Sequence, residues 1–203
     1  SSRQQSKGGN MQLPVLLDQA PDGKPLKAGL VGCGGRGTGA AVDFLNAGPN
    51  LQIVALADVF QDQLNNCREL LKKEKNVEIA DENCFVGFDA YEKVLDAGID
   101  VVLLCTPPHF RPAHVEAAVN ARKHIFMEKP IAVDPTGVRR VLASVKRAES
   151  LNLNIISGTI RRSQKDYMET RRRVLNGEIG DITGAHILRN GGALWFRSRR
   201  PEW

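Results

Sequence analysis

A glycine-rich segment near the start of the chain has the spacing of a phosphate-binding loop. The segment reads Gly-Cys-Gly-Gly-Arg-Gly and places Gly32, Gly34 and Gly37 in a G-x-G-x-x-G pattern. The first glycine of such a pattern makes a tight strand-to-helix turn, the second lets the backbone approach a pyrophosphate, and the third lets the helix pack closely. The N-terminal N–H groups and the dipole of that helix favour negative charge. The pattern therefore predicts dinucleotide binding, with Gly35 and Arg36 also available to the phosphates.

A carboxylate follows the next predicted strand at the distance that such a loop requires. Asp58 ends the run Ala-Leu-Ala-Asp, about 20 residues beyond Gly37. A carboxylate at this place accepts hydrogen bonds from the ribose hydroxyls of NAD and repels the 2′-phosphate of NADP. NADP stays possible, because the Arg36 guanidinium can meet either phosphate group. Asp58 has a second, compatible interpretation as a cap on the helix predicted to begin near Gln61.

Short apolar runs alternate with longer segments of helical period from about residue 26 onward. The predicted strands are 27–31, 52–57, 101–105, 124–127 and 154–157. The predicted helices are 38–46, 61–73, 91–97, 112–121 and 135–149. Asp134 is the predicted N-cap of the last helix, and Pro135 is its first residue. Strands that are apolar throughout and separated by helices indicate an α/β fold, a doubly wound, mostly parallel sheet of the Rossmann type.

We expect three regions along the chain. They are a polar N-terminal extension (1–25), a dinucleotide-binding domain (26–160) and the beginning of an α+β substrate and oligomerisation domain (161–203). In the last region the pattern predicts a helix over 163–175, a strand over 182–188 and a further short run over 193–196. Two strands do not bury a face by themselves, so we expect the sequence to stop inside this domain. An uncovered strand edge favours pairing with another copy, which predicts a homo-oligomer through the second-domain sheet.

The composition is that of an ordinary globular protein, with 203 residues, 42% of them hydrophobic, and a formal net charge of +5. No apolar run approaches the roughly 18 residues of a membrane span, so no membrane partner is predicted. Aromatic residues make up only 5% of the chain, which disfavours nucleic acid as a partner. The four cysteines form no C-x-x-C pair or His/Cys cluster, so no metal site is predicted. The sequence fits the cytoplasm, or the periplasm if an export signal has been removed.

Two further loops at predicted strand ends carry a more specific pattern. Thr106-Pro107 follows one strand, and Glu128-Lys129-Pro130 follows the next. Both lie at the edge where open α/β sheets bind ligands. These loops, together with the glycine loop, Asp58, His114 and the Ser-Gly and Arg-Arg pairs at 157–158 and 161–162, make the chain resemble the Gfo/Idh/MocA oxidoreductases over about residues 26–180.

The resemblance implies roles for individual residues. It implies that Lys129 is catalytic and lies beside the nicotinamide and the substrate, where burial near a cationic ring would lower the pKa of its ammonium. Arg162 is implied to contact the substrate. The residues implied to contact the cofactor in these loops are Thr106, Pro107, His109, His114 and Glu128. The alternative for Lys129 is an exposed salt bridge to Glu128 or a solvated side chain, and for the two histidines a helix cap or a surface position. Pro130 is expected to follow a cis peptide bond.

The sequence departs from the family pattern at two places. The family often carries Asn or Gln just before the Arg-Arg pair, where this chain has Ile160, so one expected contact with substrate or nicotinamide is missing. The family's usual acid–base residue, often the His of an Asp-x-x-x-His motif, has no counterpart before Trp203. We therefore expect this chain to hold the cofactor half of an active site, with Lys129 as its one catalytic candidate.

The predicted function is NAD(P)-dependent hydride transfer between nicotinamide and a hydroxyl or carbonyl carbon of a sugar, polyol or related compound. One alternative is an NAD-dependent glycoside hydrolase on the same scaffold, which regenerates its cofactor and shows no net NADH. A second alternative is a non-catalytic dinucleotide-binding module, which would tolerate replacement of Lys129 by alanine. The 203-residue chain alone is expected to bind NAD without turnover.

Overall fold

The structure is a computed structural model that describes residues 24–188, 190–192 and 198–199. It divides into two compact units, with the boundary between Ile160 and Arg161. The predicted N-terminal extension lies almost wholly outside the described residues. No helix in the described part is long and apolar enough to cross a membrane.

The first unit is built on one six-stranded sheet in which every neighbouring pair of strands is parallel. The strands are β1 (Leu26–Val31), β2 (Leu51–Asp58), β3 (Cys84–Val86), β4 (Val101–Leu104), β5 (His124–Glu128) and β6 (Ile155–Gly158). Their order across the sheet is β3-β2-β1-β4-β5-β6. The order reverses between β1 and β4, which is where open α/β sheets place their ligand crevice.

Helices cover both faces of this sheet. They are α1 (Gly35–Asn46), α2 (Gln61–Lys75), α3 (Ala90–Asp96), α4 (Arg111–Asn120) and α5 (Pro135–Ser150). Leu103 packs in one apolar cluster with residues of α1 and α2, whereas Val102 and Leu104 pack in the other with residues of α3, α4 and α5. Because side chains alternate along a strand, the two clusters lie on opposite faces. The predicted doubly wound parallel sheet is confirmed.

Local signals explain most of these elements. Asp134 accepts a hydrogen bond from the Gly137 N–H at 2.6 Å, so the predicted N-cap of α5 is confirmed. Leu142 of α5 is 52% exposed despite its apolar side chain. Ser144 faces inward instead, and its hydroxyl donates to the Arg140 carbonyl at 3.1 Å.

The sequence analysis misses β3, because a strand of three residues carries no period of its own. This strand follows a short 3-10 turn, Asp81–Asn83, and pairs with the end of β2. It is the outermost strand of the sheet on that side, next to Asp58 at the end of β2.

The second unit contains α6 (Lys165–Leu175), which confirms the helix predicted over 163–175 with a start two residues later. The strand predicted over 182–188 is wrong, because these residues are irregular and exposed. Within the described part of this unit no neighbouring strand is present to take up their backbone hydrogen bonds. The short run predicted over 193–196 lies outside the described residues.

Candidate functional site

The loop between β1 and α1 is shaped by close approach of backbone atoms. Gly32 has a φ of 97°, and a Cβ there would lie 2.8 Å from the Cys105 carbonyl carbon and the Thr106 nitrogen at the end of β4. A Cβ on Gly37 would lie 1.7 Å from the Gly32 oxygen. The first glycine therefore makes the turn and the third seats α1 against it, as the spacing predicts.

The middle of the same loop is open. Gly34 is the N-cap residue of α1, and a Cβ added to it would meet only the Gln63 amide oxygen, 3.9 Å away. A Cβ on Gly35 would meet nothing within 4 Å. The first N–H groups of a helix have no partner inside the helix. This end of α1 therefore offers free space in front of backbone donors, which fits a pyrophosphate.

Asp58 joins the end of β2 to the glycine loop. Its Oδ2 accepts a hydrogen bond from the Cys33 N–H at 2.6 Å, and its Oδ1 accepts one from the Phe60 N–H at 2.9 Å. Phe60 is the N-cap residue of α2, and no side-chain hydrogen bond caps that helix, so the interpretation of Asp58 as the cap is wrong. The hydrogen bond from the Phe60 N–H instead holds the turn that leads into α2. A carboxylate has about four lone-pair positions, so both oxygens can still accept hydrogen bonds from ribose hydroxyls.

Arg36 and Glu128 form an ion pair between α1 and the end of β5. The Arg36 Nε lies 2.7 Å from the Glu128 Oε1. The Glu128 side chain is buried, whereas that of Arg36 is 46% exposed. The hydrogen bond to Glu128 raises the pKa of the Arg36 guanidinium. Arg36 thus keeps its charge beside the phosphate-binding loop, and its predicted phosphate contact stays a prediction.

Lys129 directly follows the buried Glu128, and its own side chain is exposed. The prediction that Lys129 is buried is therefore wrong for the described chain, because no described element of the first unit covers this loop. Glu128 pairs with Arg36 rather than with the Lys129 ammonium, so the alternative of a Lys129–Glu128 salt bridge is wrong as well. The peptide bond between Lys129 and Pro130 is cis, as predicted.

The loop after β4 contains the predicted Thr106, Pro107 and His109. Thr106 is half-buried, and Pro107 and His109 are exposed at the same edge of the sheet as the glycine loop. Their cofactor contacts stay predictions. His109 lies against the Phe110 ring, edge to face, with centroids 5.2 Å apart.

His114 lies behind this loop rather than on the surface. The side chain is only 6% exposed, the ring stacks on Tyr91 with centroids 4.2 Å apart, and Nδ1 lies 3.3 Å from the Thr106 hydroxyl. Burial, and to a smaller extent the charge of Arg111, lower the pKa of His114 to about 4. His114 is therefore a neutral, buried residue that supports Thr106, and the surface and cap interpretations are wrong.

Arg111 is a residue of the site that the sequence analysis misses. Its guanidinium donates to the carbonyl oxygens of Thr106 and Pro130, one in each of the two loops. Its only signal in the sequence is its place between Phe110 and Pro112 at the start of a helix. A single arginine in such a place is usually solvated, so burial is not predicted.

Arg162 belongs to the second unit, where it lies exposed in a 3-10 turn, Ile160–Arg162. Its predicted substrate contact stays a prediction. The other candidate residues lie at the carboxyl edge of one sheet or, for His114, directly behind it. Among the described residues no cluster of His, Cys, Asp and Glu could hold a metal ion.

Residues 26–154 match the family described as an oxidoreductase family with an NAD-binding Rossmann fold, GFO_IDH_MocA. The chain is 29% identical over 164 residues to a myo-inositol 2-dehydrogenase of Thermotoga maritima, which covers 81% of this chain and 44% of that protein. It is 26% identical over 178 residues to a D-glucoside 3-dehydrogenase of Escherichia coli, which covers 87% of this chain and 47% of that protein.

A solved structure of scyllo-inositol dehydrogenase from Lactobacillus casei, with bound cofactor NAD(H) and scyllo-inositol, is also similar. The two chains are 30% identical and superimpose with a TM-score of 0.63. The aligned region covers 79% of this chain and 44% of the dehydrogenase. The chain therefore spans about half the length of the relatives that it matches.

Proposed function

The chain belongs to the Gfo/Idh/MocA oxidoreductase family, whose NAD-binding Rossmann fold spans residues 26–154, and from that premise we propose that it serves NAD-dependent hydride transfer to or from a polyol or sugar. The observation that carries the proposal is the meeting of three loops at one edge of one sheet. The glycine loop follows β1, the Thr106 loop follows β4 and the Lys129 loop follows β5. They flank the position at which the strand order reverses.

The glycine loop and Asp58 would hold the adenosine and pyrophosphate half of NAD. The open backbone at Gly34 and Gly35 leaves room for the phosphates, and a Cβ at either place would narrow that room. Asp58 keeps lone pairs for the ribose hydroxyls while it holds the Cys33 N–H. Its negative charge supports NAD over NADP, because it repels a 2′-phosphate.

The two loops after β4 and β5 would place the nicotinamide half and the reacting carbon of the substrate. NAD supplies the chemistry of hydride transfer when it is bound. The exposed Lys129 ammonium has three donors and can bind the reacting hydroxyl or carbonyl oxygen and exchange its proton. The Glu128 carboxylate pairs with Arg36 and accepts from the Lys129 backbone N–H, not from the Lys129 ammonium, so the ammonium stays available to substrate.

The substrate class rests on the relatives, which are named for inositols and a glucoside. A polyol presents neighbouring hydroxyl groups, which the exposed Lys129 ammonium can bind as acceptors. We propose a cyclic polyol or a sugar ring as the substrate.

The proposal is tested by measuring NADH formation by the protein as its gene encodes it, with NAD and a panel of inositols and glucosides. Lys129→Met is expected to lower turnover by at least about 100-fold while NAD affinity stays within a few-fold, because proton transfer contributes about that much. Lys146→Met, which removes an exposed lysine on α5, serves as the matched control. Equal activity of the two variants would contradict the role of Lys129. NAD binding with product formation but without net NADH would favour a hydrolase instead.

A further inference from the structure

Arg111 is buried at the start of α4, with only 2% of the residue exposed. One end of its guanidinium donates to the carbonyl oxygen of Pro130, and the other donates to that of Thr106. The two acceptors belong to different loops, one after β4 and one after β5. A planar guanidinium presents its donors in a fixed fork, so it sets the separation of two acceptors as well as binding them.

The burial of this cation needs a cause. Burial lowers the pKa of the Arg111 guanidinium. Its Nε atom has no hydrogen-bond partner among the described residues. A buried charge is unfavourable unless nearby groups compensate it. The described hydrogen bonds of Arg111 go to backbone carbonyls of the loops, and the nearby negative charge of Glu128 also favours the cation.

The sheet itself does not hold these loops together. The pairing of β4 with β5 ends at Leu104 and Met127, before either carbonyl is reached. The loops contain Pro107, Pro108 and Pro130, which have no N–H to donate. The carbonyls of Pro107 and Pro108 accept from the backbone N–H groups of Phe110 and Arg111. The carbonyls of Thr106 and Pro130 lie beyond the strand pairing, and both accept from the Arg111 guanidinium.

We propose that Arg111 is a positioning residue that fixes the separation of the Thr106 and Lys129 loops and so shapes the place of the nicotinamide half of NAD. This inference rests on the proposed function. Among its described hydrogen bonds Arg111 has none to the glycine loop or Asp58, so its direct effect is on the two loops of one half of the cofactor site.

Because the direct effect of Arg111 is on one half of the cofactor site, a binding measurement can distinguish a positioning role from a role in general stability. NADH carries both halves of the cofactor, whereas ADP-ribose lacks the nicotinamide. Loss of the loop separation weakens NADH binding and leaves ADP-ribose binding nearly unchanged. A general loss of folding weakens the binding of both ligands equally.

The experiment measures the affinities of NADH and ADP-ribose by calorimetry, and the melting temperature, for the wild-type chain, Arg111→Met and Arg111→Lys. Arg111→Met is expected to weaken NADH binding by about tenfold or more and ADP-ribose binding by less than about twofold. Arg111→Lys keeps the charge but loses the fork, so an intermediate loss for NADH is expected. Arg140→Met, which removes a more exposed arginine that pairs with Glu116, is the control and is expected to change neither affinity.

The outcomes separate this inference from the proposed function. A wild-type chain that binds neither ligand would overturn the proposed function itself. A wild-type chain that binds both, with equal losses or no loss in the Arg111 variants, would overturn only the positioning role. If Arg111→Met does not fold, Arg111→Lys decides between these results, and failure of both to fold would assign Arg111 to general stability instead.

Discussion

The two halves of the sheet edge are built in different ways. The half around Gly32 and Gly37 depends on backbone atoms that approach so closely that no side chain fits between them. The half around β4 and β5 depends on buried ionisable side chains. Of the four buried polar or charged residues in the described part of the chain, three lie here, namely Arg111, His114 and Glu128.

This difference determines how each half can be disturbed. The glycine-loop half is most sensitive to substitutions that add side-chain volume, because the neighbouring backbone cannot move aside without loss of the turn. The other half is most sensitive to changes of charge or protonation, because the desolvation of its buried groups is offset only by their hydrogen-bond and charge partners. Both halves face the same crevice, so a dinucleotide bound there would depend on both.

The largest expected effect is that of Gly37→Ala. The new methyl group would lie 1.7 Å from the Gly32 oxygen, which forces α1 away from the turn. We expect the free energy of unfolding to fall by about 3 kcal/mol or more, measured by urea denaturation.

Gly35→Ala is the matched control on the same helix. A Cβ there meets nothing within 4 Å, and alanine is the better helix former. We expect unchanged stability or a gain of up to about 1 kcal/mol. Similar losses in the two variants would show that the close contact of Gly37 with Gly32 is not the cause of its loss.

A pH effect is expected from His114 in the other half. Its pKa in the folded state is about 4, against 6.5 for an ordinary histidine. Between these pH values the unfolded chain binds a proton that the folded chain does not, so stability falls as pH decreases from about 6.5 toward 4. The largest contribution is on the order of 3 kcal/mol, fully present above pH 6.5.

The measurement compares the free energy of unfolding against pH for the wild type and His114→Phe, which keeps an aromatic ring beside Tyr91. We expect the variant to lose the slope between about pH 6.5 and 4.5. The lowered pKa of a surface carboxylate such as Glu169 affects stability below this window, because carboxylates in unfolded chains titrate near pH 4.5. Parallel curves for the two proteins would show that His114 is not the source of the slope.

The glycine-loop half was predictable because its determinants are local in sequence. Gly37 packs against Gly32, which is close to it in the sequence, and Asp134 caps α5 through the N–H of Gly137, three residues further on. Glycine also has few reasons to recur at this spacing other than backbone geometry. The carboxylate of Asp58 was predictable because two parallel strands joined by one helix fix its distance from the loop.

The contacts within the other half were not predictable, because they join distant parts of the chain. The Arg36–Glu128 ion pair joins residues 92 positions apart. The Arg111 contacts exist only because β4 and β5 pair in parallel and end at one edge. Charged side chains usually lie on the surface, so a sequence alone does not indicate that Arg111 and His114 are buried. The strand predicted over 182–188 failed for a related reason, since alternation alone supplies no partner strand.

The central claim of this account is that the crevice binds NAD with Asp58 at the ribose hydroxyls. The direct test is calorimetric titration of NAD and NADP into the wild type and Asp58→Asn, which keeps the side-chain shape and removes the charge. We expect the wild type to prefer NAD, and Asp58→Asn to reduce the ratio of NAD to NADP affinity by about tenfold, since a hydrogen bond to a charged group contributes about 1.5–3 kcal/mol. Asp96→Asn, at the exposed end of α3, is the control for charge alone and is expected to leave the preference unchanged. An equal change in both affinities for Asp58→Asn, or no binding of either cofactor by the wild type, would contradict the account.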